Sequence, residues 1–190
     1  MTAALKVLLN EALAHHTALR WEAAEALYGQ ALAAEPEHPD ALHLLGVLCH
    51  QTGRDARAVE LIARACQTPR APADFHNNLG EALRALRRWE EAEDSYRRAL
   101  ALRPAFPEAL SNLGTVLREQ GKLGEAARTS ERALALDANR AEFHNNLGLV
   151  HKERGDLDAA EACYRRALAL DPEHAETLSN LGIVLYMQGR

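Results

Sequence analysis

"FHNNLG" at residues 75–80 recurs letter for letter at residues 143–148. A histidine beside paired asparagines suits a catalytic or metal-binding cluster, and equally one surface of a repeating helical unit. The interval decides between them. The copies lie 68 residues apart, as do two copies of "YRRALAL" (96–102 and 164–170) and of "SNLG" (111–114 and 179–182). At half that step, 34 residues, Gly46, Gly80, Gly114, Gly148 and Gly182 form a column, each preceded by leucine: Leu45, Leu79, Leu113, Leu147 and Leu181. Alanine makes two more columns: Ala24, Ala58, Ala92, Ala126 and Ala160, and then Ala31, Ala65, Ala99, Ala133 and Ala167. Between them lie Tyr28, Ile62, Tyr96, Ser130 and Tyr164, and Pro36, Pro104 and Pro172 close three of the units. The units run 5–38, 39–72, 73–106, 107–140 and 141–174, with a partial unit at 175–190. A fixed period of this kind marks a stacked repeat architecture, so residues 1–190 are expected to form a single array.

Each unit splits into two helices. "ADFHNNLGEALRALRR" (73–88) puts Leu79, Leu83 and Leu86 on one face, and "WEEAEDSYRRALAL" (89–102) does the same with Trp89, Ala92, Tyr96, Ala99 and Leu100. Gly53, Gly121, Gly155 and Gly189 stand where the first helix must stop, since glycine accepts the left-handed conformation that ends a helix. Small Gly and Ala columns let helices approach closely, and large Leu and Tyr columns fill the space opposite. The fold class expected is all-α.

A formal charge of −5 and a pI near 6.0 argue against a nucleic-acid partner, which would need a basic stripe. Cys49, Cys66 and Cys163 are odd in number and widely spaced, which fits buried thiols and neither a disulfide framework nor a zinc ribbon. The N-terminal "MTAALKVLLNEALAHH" is interrupted by Asn10 and Glu11, unlike a signal peptide, and no run reaches the ~18 apolar residues of a membrane span. A soluble, cytoplasmic chain is expected. No HExxH, GxSxG, phosphate-binding loop or dinucleotide fingerprint is present. His15 and His16 are adjacent, on different helix faces, and His76 and His144 stand two repeats apart. Neither pair can serve one metal or one proton, so no enzyme chemistry, metal or cofactor is expected of this chain.

The period, the Leu-Gly pair, the alanine columns and the closing proline resemble the tetratricopeptide repeat (TPR) over essentially the whole chain. That resemblance implies a right-handed superhelical solenoid of antiparallel helix pairs, its concave groove lined by the first helix of each pair. Several positions depart from the pattern. Glu11 replaces the leucine of later units, Ser130 and Ala138 replace Tyr and Pro, and "QTPRAPAD" (67–74) has two prolines, predicting an irregular exit loop. "LGIVLYM" (181–187) would normally be covered by a second helix. A fragment of a longer protein is expected, with self-association through this uncapped helix.

By the resemblance, the sixth residue of each unit faces the groove: Asn10, Leu44, Asn78, Asn112, Asn146 and Asn180. An amide offers both a donor and an acceptor to a peptide backbone. Packed helices sit about 8–10 Å apart and an extended chain advances about 3.3 Å per residue. One asparagine per repeat therefore matches about every third residue of a bound segment, at about 1 kcal/mol per hydrogen bond; the resemblance equally implies a structural column, since asparagine at this position makes hydrogen bonds between repeats. Position two is acidic (Asp40, Asp74, Glu108, Glu142, Glu176) and position twelve mostly basic (Arg84, Arg118, Lys152). The two rows either flank an amphoteric groove or make pairs along solvated helix faces. Leu44, Asp74 and Asn78 stand where chaperone-binding relatives carry the Asn, Lys and Arg of a carboxylate clamp, so that clamp is not expected. "EALSNLG", "ETLSNLG" and "FHNNLG" resemble the repeats of O-linked N-acetylglucosamine transferases and their bacterial relatives, though with glycine where those often have alanine at position eight. Two functions follow: a non-catalytic scaffold binding a protein or extended peptide, or the substrate-recognition arm of such a glycosyltransferase.

Overall fold

The computed structural model describes residues 3–190, so the first two residues of the N-terminal segment read above lie outside it. The described residues form eleven α-helices and no strand. The pairs are α1 (Ala3–Thr17) with α2 (Trp21–Ala34), α3 (Pro39–Gln51) with α4 (Asp55–Cys66), and α5 (Ala73–Ala85) with α6 (Trp89–Leu102). Then come α7 (Pro107–Glu119) with α8 (Leu123–Leu136), α9 (Ala141–Arg154) with α10 (Leu157–Leu170), and α11 (Ala175–Met187). Two compact units divide the chain, one ending at Leu102 and one spanning Arg103–Arg190. Within each, second helices pack on the first helix of their own pair and on that of the next. No helix among the described residues is long and apolar enough to cross a membrane.

The turn inside each pair has one geometry. The fifteenth residue is left-handed throughout: Gly53 (φ 74°), Gly121 (74°), Gly155 (81°) and Gly189 (76°), but also Leu19 (56°) and Arg87 (57°). The following N–H reaches back five residues to a helix carbonyl, as from Arg54 to Cys49 (2.8 Å) and from Asp156 to His151 (2.9 Å). This C-terminal motif satisfies carbonyls that the helix end would orphan. At Leu19 and Arg87 the same turn carries a Cβ penalty of about 1–2 kcal/mol. As the two prolines predict, the second repeat exits differently: α4 ends at Cys66, and Arg70 is left-handed (φ 66°). Histidine caps two first helices, His38 Nδ1 accepting from the Ala41 N–H and His174 Nδ1 from the Thr177 N–H, both at 3.3 Å.

Packing explains the columns. Both alanine columns are fully buried, as are Tyr28, Ile62, Tyr96 and Tyr164. Each of these large side chains in repeats two, three and five packs against the position-eight glycine of its own pair. A Cβ on Gly46 would stand 2.4 Å from Ile62 Cγ1, on Gly80 2.6 Å from Tyr96 Cε1, and on Gly148 2.5 Å from Tyr164 Cε1. In the fourth repeat it would clash only with the Ser130 hydroxyl, and at Gly182 nothing lies within 4 Å.

Candidate binding face

The first helices carry the candidate residues in register. Asn10 is exposed on α1, Asn78, Asn112 and Asn146 are half-buried on α5, α7 and α9, and Asn180 is buried on α11. Three of these amides are tied to the preceding repeat. Asn78 Nδ2 donates to His43 Nε2 (2.9 Å), Asn146 Nδ2 to Ser111 Oγ (3.0 Å), and Asn180 Nδ2 to Asn145 Oδ1 (3.2 Å). Each rung spans 35 residues, from position six to position five of the repeat before. The donor is constant, and the acceptor is in turn an imidazole, a hydroxyl and an amide carbonyl.

The acceptors are the residues that the sequence alone did not single out. His43 is buried, its ring stacked on Phe75 with centroids 4.0 Å apart and 15° between planes. Burial pulls its pKa down to about 4, against the upward pull of Asp40 and Asp74, so it is neutral near pH 7 and can accept from Asn78. Asn145, the first asparagine of the second "FHNNLG", is 1% exposed. It accepts from Asn180 and from Thr177 Oγ1 (3.1 Å) and donates to Glu176 (3.3 Å). Its counterpart Asn77 is also buried and donates to Glu81 at 3.0 Å. The first asparagine of the hexapeptide is therefore an interior residue. The two histidines differ: burial lowers the pKa of His76, with Arg98 adding to it, whereas half-buried His144 donates to the Ala138 carbonyl at 3.0 Å.

The charged rows are partly internal. Arg118 pairs with Glu119 and, across to α9, with Glu153, while Glu108 pairs with Arg140. Lys152 is half-buried; Arg84 and Glu142 are exposed. Within the first unit the face opens between α3 and α5 into a cavity of about 430 Å³, lined by Val47, His50, Gln51, Ile62, Asn78 and Glu81.

Antiparallel helix pairs at a 34-residue pitch, joined by side-chain rungs along the first helices, define an α-helical repeat scaffold. The tetratricopeptide repeat matches residues 73–139, 106–173 and 139–190, and also 9–75. The chain belongs to the tetratricopeptide repeat family. Among curated proteins, the Cell division cycle protein 16 homolog of Mus musculus is 34% identical over 90 residues, and the Homo sapiens protein 33%. Each match covers 43% of this chain and spans 14% of the relative's length. Among solved structures, PilW, a widely conserved type IV pilus biogenesis factor, has a TM-score of 0.91 at 20% identity, over 100% of this chain and 88% of its own. YrrB, a TPR protein with an unusual peptide-binding site, has a TM-score of 0.76 at 22% identity, over 90% and 89%. At these identities the likeness is one of fold.

Proposed function

We propose that the chain is a non-catalytic interaction scaffold whose first-helix face binds an extended segment of a protein partner. Asn10, Asn78, Asn112, Asn146 and Asn180 would contact the segment's backbone, with Glu108 and Glu142 on one side and Arg84, Arg118 and Lys152 on the other. The rungs carry this reading. With its NH2 committed to the preceding repeat, each tethered asparagine is held in one orientation, and its carbonyl oxygen retains acceptor capacity for a peptide N–H. Little side-chain entropy is then lost on binding.

The test uses a peptide selected by display against the intact chain. Asn112→Ala with Asn146→Ala is expected to weaken that peptide about fivefold or more, while stability falls by only about 1 kcal/mol for each hydrogen bond removed. Unchanged affinity with a large loss of stability would make the ladder purely structural.

A separate observation favours self-association through α11. Leu178, Ile183 and Met187 are about half exposed and Tyr186 is 84% exposed, around a Gly182 that nothing covers. The occupant we propose is the same helix of a second copy, since a twofold axis sets one apolar strip against its own counterpart. Sedimentation should show concentration-dependent dimers that Ile183→Glu with Tyr186→Glu abolishes. A monomeric parent chain, or dimers indifferent to both changes, rules this out.

A further inference from the structure

We propose that the cavity between α3 and α5 receives an arginine side chain of the bound segment. The proposal rests on the first-helix face being the ligand-binding face, and it names one side chain that this face selects.

The cavity stays open because its rim is held back. His50 Nδ1 is drawn to Asp55 at 2.5 Å, and Gln51 Oε1 accepts from His16 Nε2 at 2.8 Å. Both partners lie on other helices, α4 and α1, so neither rim side chain is pulled across toward α5. In the second unit the corresponding gap, between α7 and α9, is spanned by the chain's own guanidinium, Arg118 to Glu153. Position twelve of α3 is His50 and turns the other way, so a guanidinium there must come from a ligand.

The lining fits that group. Val47, with Ile62 beneath it, gives apolar surface for a methylene stem. Around them the polar atoms are mostly acceptors. Asn78 has its NH2 on His43, and its Oδ1, which accepts from Asn77 Nδ2 at 3.3 Å, keeps a second lone pair for the ligand. His50, donating through Nδ1 to Asp55, has Nε2 as an acceptor when neutral. Glu81 contributes a carboxylate, and what matters here is its charge, which the hydrogen bond from Asn77 leaves in place. Gln51 alone adds a donor. A planar cation with several N–H groups on a long stem complements this set better than an ammonium does. Arg84, one turn further along α5, is the opposing charge, and it is exposed to solvent screening.

The test is a chemical-shift titration of the full chain with acetyl-Ala-Arg-Ala-amide and its lysine, citrulline and norleucine counterparts. The arginine peptide is expected to shift the side-chain amides of Gln51 and Asn78 and the methyls of Val47. Citrulline and norleucine should need about tenfold more peptide, and Glu81→Gln should weaken the arginine peptide about tenfold, as loss of a charge-assisted hydrogen bond does. The same spectra report whether the variant is folded. Equal response to citrulline or norleucine, or indifference to Glu81→Gln, overturns the proposal, and equal response to lysine overturns the guanidinium assignment. The display-selected peptide separates the two levels. If it moves Asn146 while the arginine peptide leaves Gln51 unmoved, the cavity assignment alone fails; if it moves neither Asn78 nor Asn146, the face itself is misassigned.

Discussion

Gly148→Ala should destabilise the α9–α10 pair by about 2–3 kcal/mol, although alanine is the better helix former by about 1 kcal/mol. The new Cβ would stand 2.5 Å from Tyr164 Cε1, 2.8 Å from Cδ1 and 3.0 Å from Cζ. That ring is fully buried, so it has nowhere to step aside. Two companion variants isolate the cause. Gly114→Ala clashes only with the Ser130 hydroxyl, which can rotate away, its other neighbours, Ala126 O and Ser130 Cβ, standing at ordinary contact distance, and should cost far less. Gly182→Ala meets nothing within 4 Å and should stabilise α11 by up to ~1 kcal/mol. Repeat arrays open unit by unit, so native-state hydrogen exchange across α7–α11 is the suitable measurement. A uniform response at all three glycines would mean that helix propensity, and not ring contact, governs the column.

The second large effect depends on pH. His43 is held neutral in the fold, its pKa pulled from 6.5 to about 4 by burial. Between those values the unfolded chain binds the proton and the folded chain does not, so stability falls as pH falls. The loss begins near pH 6.5, levels off below about pH 4, and amounts to about 3 kcal/mol at most. Protonation also places a donor at Nε2, against the Asn78 amide that donates to it. Denaturant midpoints should therefore drop less between pH 7 and pH 4.5 in His43→Gln than in the parent chain. The substitution costs stacking on Phe75 at every pH, so the difference in slope is the readout. Parallel slopes would remove His43 from the account.

The columns that were legible in the sequence are those where packing constrains both partners. Gly80 and Tyr96, or Gly148 and Tyr164, must agree in size, so the same letters return every 34 residues and show the fold. The asparagine donors were visible for the same reason. Their acceptors were not, because position five asks only for a lone pair at the right place. His43, Ser111 and Asn145 all supply one, and three chemistries at one position make no column. The cavity was hidden for a related reason: it depends on where His50 and Gln51 are drawn, by Asp55 and His16, and no local pattern records that. Position twelve looked like a basic row from Arg84, Arg118 and Lys152, yet Arg118 spends its charge on Glu119 and Glu153.

The rungs also bear on how such a chain can lengthen. A tandem duplication of residues 141–174 would bring its own Asn146 donor, and the Asn145 of the copy before it would already offer an acceptor. No compensating substitution is needed at the new joint. Because the constant half of each bond lies on the incoming repeat and the permissive half on the resident one, copies can be added while older repeats drift in sequence.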